Sequence, residues 1–167
     1  PVMLNPAPAT ELDDELLSLV SWLIPNEQEA SMETHLPLRT DAEGPLKSDL
    51  RNIAAKLWDK GVEHIVITLG GHGAVVVKAD GLTYIPCVSM RHVADPTAAG
   101  DSFVGALAVG VTLGLSHAQA LEFAAYTAAL TVSRMGAMPS LPTLEEVLTL
   151  MRERGCQAPA RLDVLKA

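Results

Sequence analysis

The feature that most constrains this chain is a run of small residues leading into a helix, Asp95-Pro-Thr-Ala-Ala-Gly-Asp-Ser-Phe-Val-Gly-Ala-Leu. Residues without bulk let a backbone come close to a ligand, and the first amides of a helix have no partners inside it. The N–H groups at Ala98, Ala99 and Gly100, reinforced by the helix dipole, therefore form a place for an anion. Asp101 falls in the first helical turn beside them, where a carboxylate can accept the proton of a hydroxyl nucleophile. An aspartate that merely caps its helix, with small neighbours that merely pack, has the same spacing. Spacing alone does not separate the two.

The remaining pattern alternates strands with helices. Val2–Leu4 is a short apolar strand, and Asn5-Pro-Ala-Pro-Ala is a loop stiffened by its prolines. Thr10 reads as the N-cap of a helix whose apolar face is Leu12, Leu16, Leu17 and Val20. Trp22-Leu-Ile-Pro is a second strand, and Asn26 caps a helix through Glu27, Gln28, Glu29 and Ala30. Residues 35–45 read as an irregular polar surface loop, and Leu50, Ile53, Ala54 and Leu57 mark a helix ending at Gly61. His64–Leu69 is a buried strand, Ala74–Lys78 another, and Asp80-Gly81 signals a hairpin turn before a return strand at Leu82–Pro86. Helices are predicted from Ala99 to Leu113, from the Ser116 cap to Arg134, and from the Thr143 cap to Gly155. This order predicts an α/β fold with a mostly parallel sheet, one domain over 1–155 and a loose tail at 156–167.

Composition narrows the partners. Apolar residues make up 49% and aromatics only 4%, so the core must be Leu, Val, Ile and Ala, which suits helices on a buried sheet. With a formal net charge of −8 and no basic stripe, nucleic acid is not an expected partner, and bound phosphate must rely on backbone amides. No apolar run suits a membrane span; Val104–Leu115 is interrupted by Gly105, Gly110 and Gly114. Cys87 and Cys156 lack metal-ligand spacing and read as reduced thiols of a cytoplasmic protein. The opening Pro-Val-Met-Leu-Asn-Pro reads as a strand already under way, so further residues are expected before Pro1.

The small-residue segment resembles the second signature of the ribokinase-like, pfkB-type carbohydrate kinases, D-T-x-G/A-A-G-D-x-F. It departs from it at Pro96, which keeps the loop rigid but removes one donor. The resemblance implies that Asp101 is the proton acceptor and that Ala98, Ala99 and Gly100 belong to the anion hole. Other segments match the family in the same order. Asn5-Pro-Ala-Pro-Ala looks like the loop after a central strand. Asn26 and Glu29 fit an N-x-x-E pair, which implies an asparagine near the nucleotide phosphates and a glutamate organising magnesium through water. Without the resemblance, Glu27 and Glu29 are solvated charges of a first helical turn.

Thr68-Leu-Gly-Gly-His-Gly resembles the family's T-x-G-x-x-G turn, implying that Thr68, Leu69, Gly70, Gly71, His72 and Gly73 hold ATP phosphates. By itself it is a tight hairpin. The segment from Thr131 to Ser140 resembles the one ending in G-A-x-P-S, which implies a monovalent-cation site for potassium. Its ligands would be Asp95 and Thr97, carbonyls of Thr131, Arg134 and Gly136, and Ser140. Read alone, Arg134 is a solvated charge at a helix end and Ser140 a turn hydroxyl.

The resemblance covers residues 1–153 and corresponds to the C-terminal half of the family, without the N-terminal half and lid that carry most sugar contacts. It implies a three-layer fold and ATP-dependent phosphoryl transfer to a sugar hydroxyl, with ribose becoming ribose 5-phosphate. It also implies Mg2+ and K+ as cofactors, small-molecule sugar and ATP as partners, and room for a homodimer. A nucleotide-binding fragment without activity, or a nucleoside or vitamin kinase on the same fold, stands as the alternative.

Overall fold

The β-branched runs His64-Ile-Val-Ile-Thr and Ala74-Val-Val-Val-Lys become neighbouring strands, because side chains stiff at χ1 suit a pleated surface. The computed structural model describes residues 1–166. They divide into two compact units, Pro1–Pro86 and the chain from Cys87 onward, where the sequence predicts one domain over 1–155. In chain order the first unit contains β1 (Met3–Leu4), α1 (Asp14–Ser18), β2 (Trp22–Leu23), α2 (Glu27–Thr34), β3 (Thr40–Asp41), β4 (Gly44–Pro45), α3 (Lys47–Asp59), β5 (His64–Thr68), β6 (Ala74–Lys78) and β7 (Gly81–Ile85).

The main sheet has the order β1-β2-β5-β6-β7. Its β1, β2 and β5 run parallel, whereas β5, β6 and β7 are antiparallel neighbours. Parallel partners need crossovers, which the chain through α1 and through α2 and α3 supplies; antiparallel ones need only tight turns. On one face Ile65, Ile67, Val75 and Val77 pack with Leu17, Ala30, Leu50, Ile53 and Leu57. Ile24, Val66 and Val76 are buried as well.

Three local expectations are corrected here. Asp13, not Thr10, caps α1, its Oδ1 accepting from the Glu15 amide at 2.8 Å. The hairpin turn is Ala79-Asp80, because Lys78 already pairs with Gly81. Residues 35–45 are not irregular: β3 and β4 form an antiparallel pair, with Gly44 and Pro45 buried. What orders this flap is buried Asp49, which accepts from the Arg39 amide, Nε and Nη2 at 2.9, 2.9 and 2.7 Å. The Arg39 hydrogen bonds hold that carboxyl at about 2.

The second unit contains α4 (Ala99–Thr112), α5 (His117–Val132) and α6 (Leu144–Glu153). Gly110 lets α4 and α5 approach: a Cβ there would sit 2.8 Å from that of Ala120. Ser116 with Gln119 and Thr143 with Glu146 form capping boxes at the starts of α5 and α6, as predicted. The predicted loose tail is ordered through Lys166; Ala167 lies outside the described residues. Leu162 is fully buried, and Arg161 Nη1 donates to the carbonyls of Leu113 and Gly114, at 3.0 and 2.7 Å, at the end of α4. Cys156 Sγ donates to Glu122 and accepts from Tyr126. Among the described residues no helix is long and apolar enough to cross a membrane.

Candidate active site

The start of α4 is built by a short turn. The Ala99 amide donates to Pro96 O at 3.2 Å, and Ala98 takes a left-handed conformation at φ 61°. The first helical bond then runs from the Ser102 amide to Ala98 O at 2.9 Å. The amides of Ala98, Gly100 and Asp101 keep no hydrogen-bond partner among the described residues, and no side chain caps the helix. Asp101 is exposed in the first turn, and no described residue bonds its carboxylate. It therefore does not cap α4; Ala98 occupies the cap position. The geometry offers unspent donors beside an unspent carboxylate, which is what transfer of an anionic group from or to a hydroxyl needs.

A left-handed alanine costs about 1 kcal/mol or more, so something must hold it. Asp95 does. Its Oδ1 accepts from the Thr97 amide and its Oδ2 from the Gly136 amide, both at 2.9 Å. The amides of Ala94 and Asp95 donate to Val132 O at 2.8 and 3.2 Å. Hydrogen bonds from Thr97, by side chain and amide, and from the Gly136 amide lower the Asp95 pKa. The loop before α4 is thus fastened to the segment after α5.

Asp95, Thr97 and Gly136 are brought together as predicted, and the other proposed cation ligands sit on the same segment. The Thr131 hydroxyl turns back to Thr127 O at 3.0 Å, and the Arg134 amide donates to Thr131 O at 3.1 Å. Ser140 is fully buried and donates to Ala137 O at 2.6 Å. Arg134 is not a lone solvated charge. Its Nη2 and Nη1 lie 2.6 and 3.3 Å from Oε1 and Oε2 of Glu146. Sequence reasoning places Glu146 only in a capping box; its reach across 12 residues to Arg134 leaves no local signal.

In the first unit, Asn26 and Glu29 also form a capping box. Asn26 Oδ1 accepts from the Gln28 and Glu29 amides, each at 2.9 Å, and Glu29 Oε2 accepts from the Asn26 amide at 2.7 Å. Glu29 is buried rather than solvated, and its Oε1 has no hydrogen bond among the described residues. Asn26 bridges to Thr68, whose amide donates to Pro25 O at 2.9 Å. After Thr68 the chain makes a tight 3-10 turn over Gly70–His72. Within it Leu69 donates to Gly73 O, His72 to Leu69 O and Gly73 to Gly70 O. Those amides are spent, and Leu69 is buried. Only Gly70 and Gly71 present unpaired amides, both exposed, with open space where a Cβ would be.

These donor sets fit the groups the sequence implies. Paired open amides suit phosphate oxygens. Glu29 has one uncommitted oxygen for the water shell of magnesium, which few protein ligands ever replace. One carboxylate, a buried hydroxyl and backbone carbonyls suit a large monovalent ion. Among the described residues no cluster of three or more His, Cys, Asp or Glu could hold a metal ion by itself.

Comparison with known proteins identifies the family. Residues 1–144 match the model of the pfkB family carbohydrate kinases. The chain is 39% identical to the ribokinase of Schizosaccharomyces pombe over 150 residues, 87% of this chain and 45% of that protein. It is 37% identical to the Haemophilus influenzae ribokinase, over 90% of this chain and 47% of that one. The Arabidopsis thaliana ribokinase solved with ribose and ATP superposes with a TM-score of 0.83 at 33% identity, over 91% of this chain and 47% of that one. The chain spans a little under half the length of these relatives. The chain belongs to the pfkB family of carbohydrate kinases.

Proposed function

We propose that this chain is the nucleotide-binding and proton-accepting portion of an ATP-dependent sugar kinase, with ribose as the sugar and the cytoplasm as its setting. The observation that carries the reading is the uncommitted Asp101 carboxylate in the first turn of α4, alongside the unpaired Gly100 and Asp101 amides. Bound ATP supplies the phosphoryl group, and magnesium, when bound, would neutralise its phosphate charge. Asp101 accepts the proton of the attacking sugar hydroxyl as the hydroxyl oxygen bonds to the γ-phosphorus and the bond from that phosphorus to its bridging oxygen breaks, the electron pair leaving with ADP. The α4 amides donate to the phosphoryl oxygens as negative charge spreads over them. The Gly70 and Gly71 amides and Asn26 orient the nucleotide phosphates, and Glu29 orders water around magnesium. Asp95, Thr97, the carbonyls of Thr131, Arg134 and Gly136, and Ser140 would hold potassium, whose charge would help to keep the loop before α4 in shape.

The test is Asp101→Asn in an enzyme containing this portion. Turnover should fall while nucleotide affinity persists; an unchanged rate removes Asp101 from the chemistry. The coverage of the relatives favours a second reading, in which the 167 residues bind nucleotide without turnover. Incubating the 167-residue chain with ATP and ribose, adenosine or hydroxymethylpyrimidine tests the second reading: turnover of any acceptor removes it and identifies that acceptor.

A further inference from the structure

Glu146 sits at the start of α6 and is already needed there. Its Oε2 accepts from the Thr143 amide at 2.7 Å and from the Thr143 hydroxyl at 3.1 Å. The same carboxylate takes both terminal nitrogens of Arg134, the nearer at 2.6 Å. The segment between α5 and α6 is therefore pinned at both ends by one side chain. Its middle is held independently by the Gly136 amide on Asp95 and by the buried Ser140 hydroxyl on Ala137 O. Arg134 creates an electrostatic difficulty that nothing else in this segment answers. In the potassium reading above its carbonyl is a ligand of the ion, which puts its guanidinium within one side chain's length of that positive charge. At such a separation, inside the Debye length, solvent salt does not cancel the repulsion.

We propose that Glu146 is a positioning residue for monovalent-cation binding: by pairing with Arg134 it cancels the guanidinium charge that would otherwise oppose the ion. The inference rests on the potassium reading above and assigns no contact between Glu146 and substrate. It makes the charge of the pair, and not only its shape, decide cation affinity. Removing Glu146 leaves Arg134 opposing the ion; removing Arg134 does not.

The experiment measures the thermal unfolding midpoint of the 167-residue chain as KCl replaces choline chloride at constant ionic strength. Wild type should gain stability with potassium specifically, giving a half-saturating concentration. In Glu146→Gln that concentration should rise about three- to tenfold, the size of one unscreened nearby charge. Glutamine still accepts at the third helical position, so the capping box survives and is not the cause. Arg134→Gln should not raise it, and the double variant should return towards wild type. A merely structural pair would instead weaken binding alike in both single variants. Should Glu146→Gln fail to fold, Arg134→Gln decides: its potassium requirement should stay within about twice that of wild type, and a roughly threefold or greater rise, the mark of a merely structural pair, overturns the proposal. Equal potassium dependence of Glu146→Gln and wild type overturns the proposal and leaves the cation site standing. If wild type shows no preference for potassium over choline, the cation reading fails, and the role of Glu146 with it.

Discussion

Two turns in this molecule present open amides, and they are made in opposite ways. The turn after β5 uses glycine wherever the backbone is unusual: Gly70 at φ 52° and Gly73 at φ 90°. Its internal hydrogen bonds all lie between Leu69 and Gly73, so it holds its own shape. The turn before α4 instead places an alanine at φ 61° and is fastened from outside, by Asp95 to Gly136 and by Val132 O. The first is a self-contained cradle. The second is a strained loop whose shape depends on a distant segment, and it is the one that carries a carboxylate. Strain held by neighbours is how a site is kept in one productive geometry.

The largest expected difference between the turns is chemical. Asp101→Asn should lower kcat by about 10² to 10⁴, the usual worth of a general base, with the nucleotide Kd nearly unchanged. Steady-state rates and calorimetric titration check both halves, and equal losses in kcat and affinity would erase the division between a reacting turn and a binding one.

Next come the backbones. Gly73, at φ 90° and ψ −125°, lies where side chains are excluded, so Gly73→Ala should cost about 1–3 kcal/mol in denaturant melts. Ala98→Gly should have the opposite sign or none. Relief of the left-handed alanine offsets the greater freedom of glycine when unfolded, leaving a change within about 1 kcal/mol. Two destabilised variants would mean that the α4 turn is not strained.

The smallest effect depends on pH. The folded Asp95 pKa lies below its unfolded value, so its straps contribute fully above the ordinary aspartate range and are lost as pH falls through the lowered folded value. The stability advantage of wild type over Asp95→Asn should therefore be flat near neutrality and shrink below about pH 4. Glu146, held at about 2 first by the Arg134 hydrogen bond, should lose its contribution in the same direction, as pH falls from 4.5 toward about 2.

Much of the fold was legible because its signals are local. The β5–β6 run of β-branched residues, the Ser116 and Thr143 caps and the small-residue entrance to α4 each announce themselves within a few positions. The self-contained glycine turn was legible for the same reason, although the sequence did not say which amides stay open. What escaped depends on distant partners. The β3–β4 flap is held by Asp49 reaching back ten residues to Arg39, and the C-terminal segment by Arg161 acting 47 and 48 residues away on the end of α4. The pairing of Arg134 with Glu146 is of this kind, since nothing local to either residue points to the other. The choice of Asp13 over Thr10 as cap lay between two suitable residues three apart, which composition does not decide.

The change of strand direction at β5 also bears on how the chain finds its structure. β5, β6 and β7 meet across turns of a few residues, whereas β2 joins β5 only after the whole excursion through α2 and α3. Closing the short loops loses far less chain entropy, so the meander should assemble in the rate-limiting step and recruit the parallel strands afterwards. Truncating Val75 to alanine should then slow refolding, while truncating Leu23 should mainly hasten unfolding. Stopped-flow chevrons in which Leu23 carries the larger folding-arm effect would reverse that order.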